Sequence, residues 1–142
     1  MLSLTIQKVN DLTVFRCVGR ITSDDVDGLR KAFLGQPDMR IAVLDLAEIT
    51  VVDAAGLGVI VSLRQWAKAT GRQLKLMNLR PRVAKLFELT NLTPEFEVCS
   101  VSDMFDLICR ATELAVLDAA GKRPGTAQDQ HYWNEHRKSP AA

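Results

Sequence analysis

Two runs of alternating or β-rich residues open the chain. Leu4 and Ile6 interleave with Thr5 and Gln7, and after Asn10-Asp11 a second run extends from Leu12 to Val18. Two such runs joined by an Asn-Asp pair predict a β-hairpin, with Gly19 ending its second strand. Thr22, with Asp25 three residues on, resembles a capping box in which Asp replaces the usual Glu. Asp24, Asp25 and Asp27 then fall in the first turn of a helix, where the helix dipole favours negative charge. Val26, Leu29, Ala32 and Phe33 follow at helical spacing, up to a break at Gly35 to Pro37.

Ile41, Ala42, Val43, Leu44 and Leu46 form a nearly continuous apolar run. That is the pattern of a strand buried on both faces, in the middle of a parallel sheet. Ile49 to Val52 leads into Asp53-Ala54-Ala55-Gly56, and a helix then runs to Gly71, a natural C-terminal cap. Leu57, Ile60, Val61, Arg64, Ala67 and Lys68 carry its 3.6-residue period. Leu74, Leu76 and Leu79 predict a fourth strand. Pro81 suits the first position of a helix whose inner face is Val83, Leu86 and Phe87. Phe96 to Cys99 is a fifth, short strand. Ser100 or Ser102 caps a last helix to about Ala119, with Met104, Phe105, Ile108, Ala111 and Ala115 inward. Leu107, Leu114 and Leu117 add a second apolar stripe, wider than one sheet face needs, which points to a homodimer contact.

The order ββαβαβαβα predicts an α/β fold: one domain over residues 1–120, with a central mixed sheet of about five strands and about four helices. Residues 121–142 lack periodicity and are rich in Gly, Pro, Gln and Asn, so a disordered C-terminal tail is expected.

Composition narrows the function classes. The 18 basic and 17 acidic side chains leave a net charge of +1, which gives no pull towards nucleic acid or a membrane surface. Aromatic residues are 6% of the chain, too few for base-stacking platforms. No apolar run approaches the ~18 residues of a membrane span. MLSLTIQKVN reads as a strand and not as a secretory signal, so a cytoplasmic protein without direct membrane insertion is expected. Cys17, Cys99 and Cys109 are odd in number and unrelated in spacing, which supports neither a disulfide framework nor a zinc site. Cys17, in a strand, and Cys109, on an apolar helix, are expected as buried, reduced thiols. His131 and His136 both lie beyond residue 120 and are five apart, the wrong spacing for paired ligands on one helical face. With no histidine before them, no Ser/His/Asp or Cys/His set can be assembled. The expectation is a non-enzyme with no catalytic residue, no metal and no cofactor.

The segment LDLAEITVVDAAGLGVIVSLRQWAKATG resembles the signature of the STAS family, found in bacterial anti-anti-sigma factors. There a buried strand ending in Asp-Leu leads to Asp-Ser-(Ser, Thr or Ala)-Gly-Leu-Gly, which opens a helix. The matching residues are Asp45-Leu46 and Asp53-Ala54-Ala55-Gly56-Leu57-Gly58. Gly71 with the strand after it, and the helical segment RPRVAKLFELTNL, match as well. The order of elements agrees from the first hairpin to about Ala119.

The resemblance implies a non-catalytic regulator that binds an anti-sigma factor or a related kinase-type protein. It places the contact at Thr22, Asp24, Asp53, Ala54, Ala55, Gly56, Leu57 and Gly58. In the family the serine after the Asp accepts a phosphoryl group, whose added charge of about −1.5 to −2 changes partner docking. Ala54 occupies that position and Ala55 follows, so this is a degenerate phosphorylation site. Thr50 and Ser62 do not match the acceptor. Where many partner-switching members carry Gly-Glu-Leu-Asp, this chain has Gly19-Arg20-Ile21-Thr22. On the residues alone, Asp53 is also an ordinary helix N-cap, and Gly56 and Gly58 are also tight helix–sheet packing. A second role fits the same domain: a small cytosolic STAS subunit of an ABC-type lipid transporter, whose helix braces the ATPase. A scaffold module of a signalling complex is a third.

Overall fold

Asn10 adopts φ 56° and turns the chain back on itself, pairing Leu2–Val9 (β1) antiparallel with Leu12–Ile21 (β2). A computed structural model describes residues 1–36 and 38–119, with side chains through Glu113. Beyond the hairpin, Ile41–Val52 (β3), Gln73–Met77 (β4) and Glu97–Cys99 (β5) each add in parallel, giving one sheet in the order β1-β2-β3-β4-β5. The helices are Val26–Leu34 (α1), Ala54–Ala69 (α2), Pro81–Leu89 (α3) and Val101–Ala119 (α4). Short 3₁₀ turns at Ser23–Asp25 and Thr93–Glu95 complete the described chain. This is the single α/β domain that the pattern predicts, with five strands and four helices. Residues 121–142 lie outside the described part.

The sheet has two unequal coverings. Phe15, Cys17, Ala42, Leu44, Leu46, Leu74 and Leu76 point to the face covered by α1, α2 and α3, against Leu29, Phe33, Ile60, Leu63, Val83 and Phe87. Phe33 joins two aromatic contacts there, stacked on Phe15 at 5.3 Å and edge-on to Trp66 at 5.6 Å. Leu12, Val43, Met77 and Cys99 face the other way, under Met104 and Ala111 of α4. The central run of β3 is thus covered on both sides, which is why its sequence hardly alternates. Each fully buried large side chain stabilises the fold by roughly 1.5–3 kcal/mol relative to exposure.

Three expectations change. Gly19 does not end β2, which continues to Ile21. Gly19 adopts φ +112°, and a Cβ there would lie 2.2 Å from the Met1 carbonyl oxygen. The register with β3 shifts between Gly19 and Arg20, so this glycine marks a β-bulge rather than a stop. On α4, Phe105 is 66% exposed and Ile108 38% exposed, whereas Leu107 packs inward beside Met104 and Ala111. Apolar residues occupy more than half the circumference of this helix, so periodicity alone does not fix which part meets the sheet. The side chains of Leu114, Ala115 and Leu117 lie outside the described residues. The same rotation exposes Cys109, contrary to the expected burial. A smaller difference is Lys75, which sits buried within an apolar strand and pairs with Glu97 at 2.6 Å across β4 and β5.

The thiols therefore differ in reactivity. Burial, followed by the negative charge of Asp45, pushes the Cys17 thiol up to about 12. Only the thiolate reacts. A maleimide at neutral pH is expected to label Cys109 quickly in the native protein and Cys17 only after unfolding. Mass mapping of the labelled peptides reads this directly, and rapid native labelling of Cys17 would contradict its placement.

Candidate functional site

Parallel pairing of β2 and β3 in the register Ile21↔Val52 brings the ends of both strands side by side. Thr22 and Asp53, far apart in sequence, therefore leave the sheet together. Asp53 stays extended (φ −91°, ψ −177°) and caps α2, its Oδ1 accepting from the Gly56 backbone N–H at 2.7 Å. Its other oxygen, Oδ2, accepts from the Ser23 N–H at 3.0 Å, and its own N–H donates to the Ile21 carbonyl at 3.3 Å. One carboxylate thus satisfies an orphan donor of the helix and ties the β2–α1 segment to it.

The second carboxylate of the loop is Asp25. The Thr22 backbone N–H (3.3 Å) and hydroxyl (3.0 Å) donate to one oxygen, and the Leu2 N–H donates to the other at 3.1 Å. The Asp half of the expected capping box is formed this way. Partial burial raises the Asp25 pKa, but the Thr22 hydrogen bonds, the N-terminal ammonium and the Leu2 N–H outweigh it and hold the carboxyl below its ordinary value. A carboxyl depressed in the folded state stabilises above its unfolded pKa, near 4, and that contribution is lost as pH falls through the folded pKa. The loop's contribution is therefore full at neutral pH and fades below about pH 4. Thermal melts of Asp25→Asn should show a shallower acid decline than the parent chain. Parallel declines would mean that the carboxylate is not held in the loop.

The residues singled out in the sequence divide into two groups. Asp24, Ala54, Ala55 and Gly58 are exposed, while Thr22 and Asp53 are half-buried at the loop junction. Gly56 and Leu57 face inward. A Cβ on Gly56 would lie 2.0 Å from the Ile21 carbonyl oxygen, so here the glycine permits direct contact between α2 and β2. A Cβ on Gly58 would meet nothing within 4 Å, so no such constraint acts there. Thr50 and Ser62 are both engaged, Thr50 with the Gly19 carbonyl and Ser62 with the Val59 carbonyl. Sequence reasoning missed Ser23 and Val51. The tie from Ser23 to Asp53 spans 30 residues and leaves no local signal. Val51, 37% exposed at the end of β3, adds an apolar element to the surface.

Among the described residues no cluster of three or more His, Cys, Asp or Glu could hold a metal, and no helix is long and apolar enough to cross a membrane. What the site does present is a small, neutral helix end (Ala54, Ala55, Gly58) beside the exposed acidic residue Asp24.

Comparison with known proteins bears on the family and the fold. The family model of the STAS domain matches residues 3–105. The candidate anti-sigma factor antagonist BtrV of Bordetella bronchiseptica is 26% identical over 101 residues, covering 70% of this chain and 87% of that protein. The anti-sigma-B factor antagonist of Bacillus subtilis is 35% identical over 66 residues, covering 46% of this chain and 58% of that one. Among solved structures, the anti-sigma factor antagonist SpoIIAA in its unphosphorylated form superposes with a TM-score of 0.63 at 19% identity, over 75% of this chain and 96% of that one. At that identity the superposition speaks for the fold.

Proposed function

This chain belongs to the STAS domain family, and from that premise we propose that it is a non-catalytic regulator that docks on an anti-sigma factor or a related kinase-type protein. The docking surface is the exposed start of α2 with the segment that Asp53 ties to it. Asp24, Ala54, Ala55 and Gly58 present that surface; Thr22, Asp53, Gly56 and Leu57 hold its shape. The observation that carries the reading is the exposed, uncharged N-terminal turn of α2, braced from the neighbouring loop by a single carboxylate. The resemblance to anti-sigma factor antagonists gives the class of partner. In this reading Ala54 stands where the family's acceptor serine would be, so this position stays permanently in the uncharged, docking-competent form.

The direct test is titration of the full chain with a purified serine-kinase-type anti-sigma factor from the same source, followed by calorimetry. A saturable complex with one-to-one or two-to-two stoichiometry is the expected result. If no such protein from the source binds at high micromolar concentration, the reading falls.

A further inference from the structure

Position 54 carries no hydroxyl, but the surface around it does. Four hydroxyl side chains surround the junction of β2, β3 and α2, or lie along α2 itself: Thr22, Ser23, Thr50 and Ser62. Three are occupied. The Thr22 hydroxyl donates to Asp25 at 3.0 Å, the Thr50 hydroxyl to the Gly19 carbonyl at 3.3 Å, and the Ser62 hydroxyl to the Val59 carbonyl at 2.9 Å. Ser62 and Thr22 are also half-buried. Ser23 differs from all three. It is exposed, as Thr50 is, but among the described residues its hydroxyl has no hydrogen-bond partner, while its backbone N–H donates to Asp53. That bond fixes Ser23 against the residue immediately before Ala54, on the surface already described.

We propose that Ser23 is the phosphoacceptor of this protein, so that the charge switch absent from the start of α2 is carried by the adjoining β2–α1 segment. The inference rests on the docking reading above. In the transfer step the Ser23 Oγ attacks the γ-phosphorus of ATP held by the kinase-type partner. The Oγ–P bond forms, the bond from the γ-phosphorus to the bridging oxygen breaks, and ADP leaves. The hydroxyl proton passes to a base of the kinase. The product adds a charge of about −1.5 to −2 at neutral pH. It would stand beside Asp24, Asp25 and Asp53, adding a doubly ionisable group to a junction that already holds three carboxylates. A partner matched to the unmodified form then meets further, unpaired negative charge, and docking weakens.

The test has two arms. In the first, the protein is isolated from its source cells in exponential growth and in stationary phase, with phosphatases inhibited, and its peptides are sequenced by mass spectrometry. Phosphoserine at Ser23 in either state is the expected result. Unmodified Ser23 in both states, or phosphate only on another hydroxyl, overturns the proposal. In the second arm, the full chain with phosphoserine installed at position 23 during translation is titrated against the purified kinase-type anti-sigma factor. Binding at least tenfold weaker than for the unmodified chain is expected, and equal affinity overturns the switch. The docking reading is tested separately through Ala54→Glu. If that variant binds poorly while Ser23 is never modified, the docking surface stands and only this inference fails. If Ala54→Glu binds normally and Ser23 is phosphorylated, the modification stands but its site of action lies elsewhere.

Discussion

Gly56→Ala should destabilise the protein by about 3 kcal/mol or more, an overpacking cost at the upper end of single substitutions. The added methyl group would lie 2.0 Å from the Ile21 carbonyl oxygen and 2.8 Å from its carbon. Both are backbone atoms of a strand interior to the sheet, so no flexible side chain can swing aside. Relief requires α2 to lift away from β2, which would stretch the bonds that Asp53 makes to Ser23 and Gly56 and open the contacts of Leu57 and Ile60. Gly58→Ala, two residues on, should do the opposite. Nothing lies within 4 Å of its added carbon, and alanine in a helix interior is favoured over glycine by about 0.5–1 kcal/mol. Urea unfolding of the two variants measures the contrast. Equal stability for Gly56→Ala and the parent would mean that α2 does not rest on β2 as described.

Ala54→Glu should weaken binding of the proposed kinase-type partner by about two orders of magnitude or more while leaving the fold intact. A carboxylate in the first turn is compatible with the helix dipole, so stability is spared. Ala54 is exposed, so no core contact is lost either. In a docked complex the same charge would be buried without a counter-ion, at a cost of several kcal/mol. Calorimetry gives the affinity, and circular dichroism confirms folding. Ala54→Ser should bind like the parent and restore a hydroxyl at this position. Undiminished affinity of the folded Ala54→Glu variant would remove the start of α2 as the docking surface.

Hydrophobic period and punctuation locate the five strands and four α-helices of the described chain, although Leu79 falls beyond Met77 and outside β4. Asn10-Asp11, Pro81 and Gly71 each mark a turn, a start or a stop through their own backbone preferences, and such signals are local. The unbroken apolar run of β3 even announced its central place, because a strand covered on both sides has no reason to alternate. What failed was rotational and long-range. Phe105 and Ile108 belong to an apolar arc too wide to fix the phase of α4, and the sheet beneath one end of it is only the three-residue β5. Gly19 reads the same in sequence whether it ends a strand or bends one. Within the site, the capping role of Asp53 was legible from its place before Ala54. Its second bond, to Ser23, depends on the register of β2 against β3, which no nearby residue encodes.

The strand order has a consequence for how the chain is made. Because sheet order equals chain order, every strand leaving the ribosome finds its partner already synthesised, at the growing edge. No earlier pair must open to admit a later strand. The hairpin can seed the sheet, and each helix-plus-strand unit then extends it by one position, keeping each loop closure short. Among the described helices only α4, the last of them to emerge, crosses to the bare face, so Leu12, Val43 and Met77 stay uncovered until nearly all of the described chain has been translated. That interval is when this nascent chain most exposes a sticky surface to its neighbours.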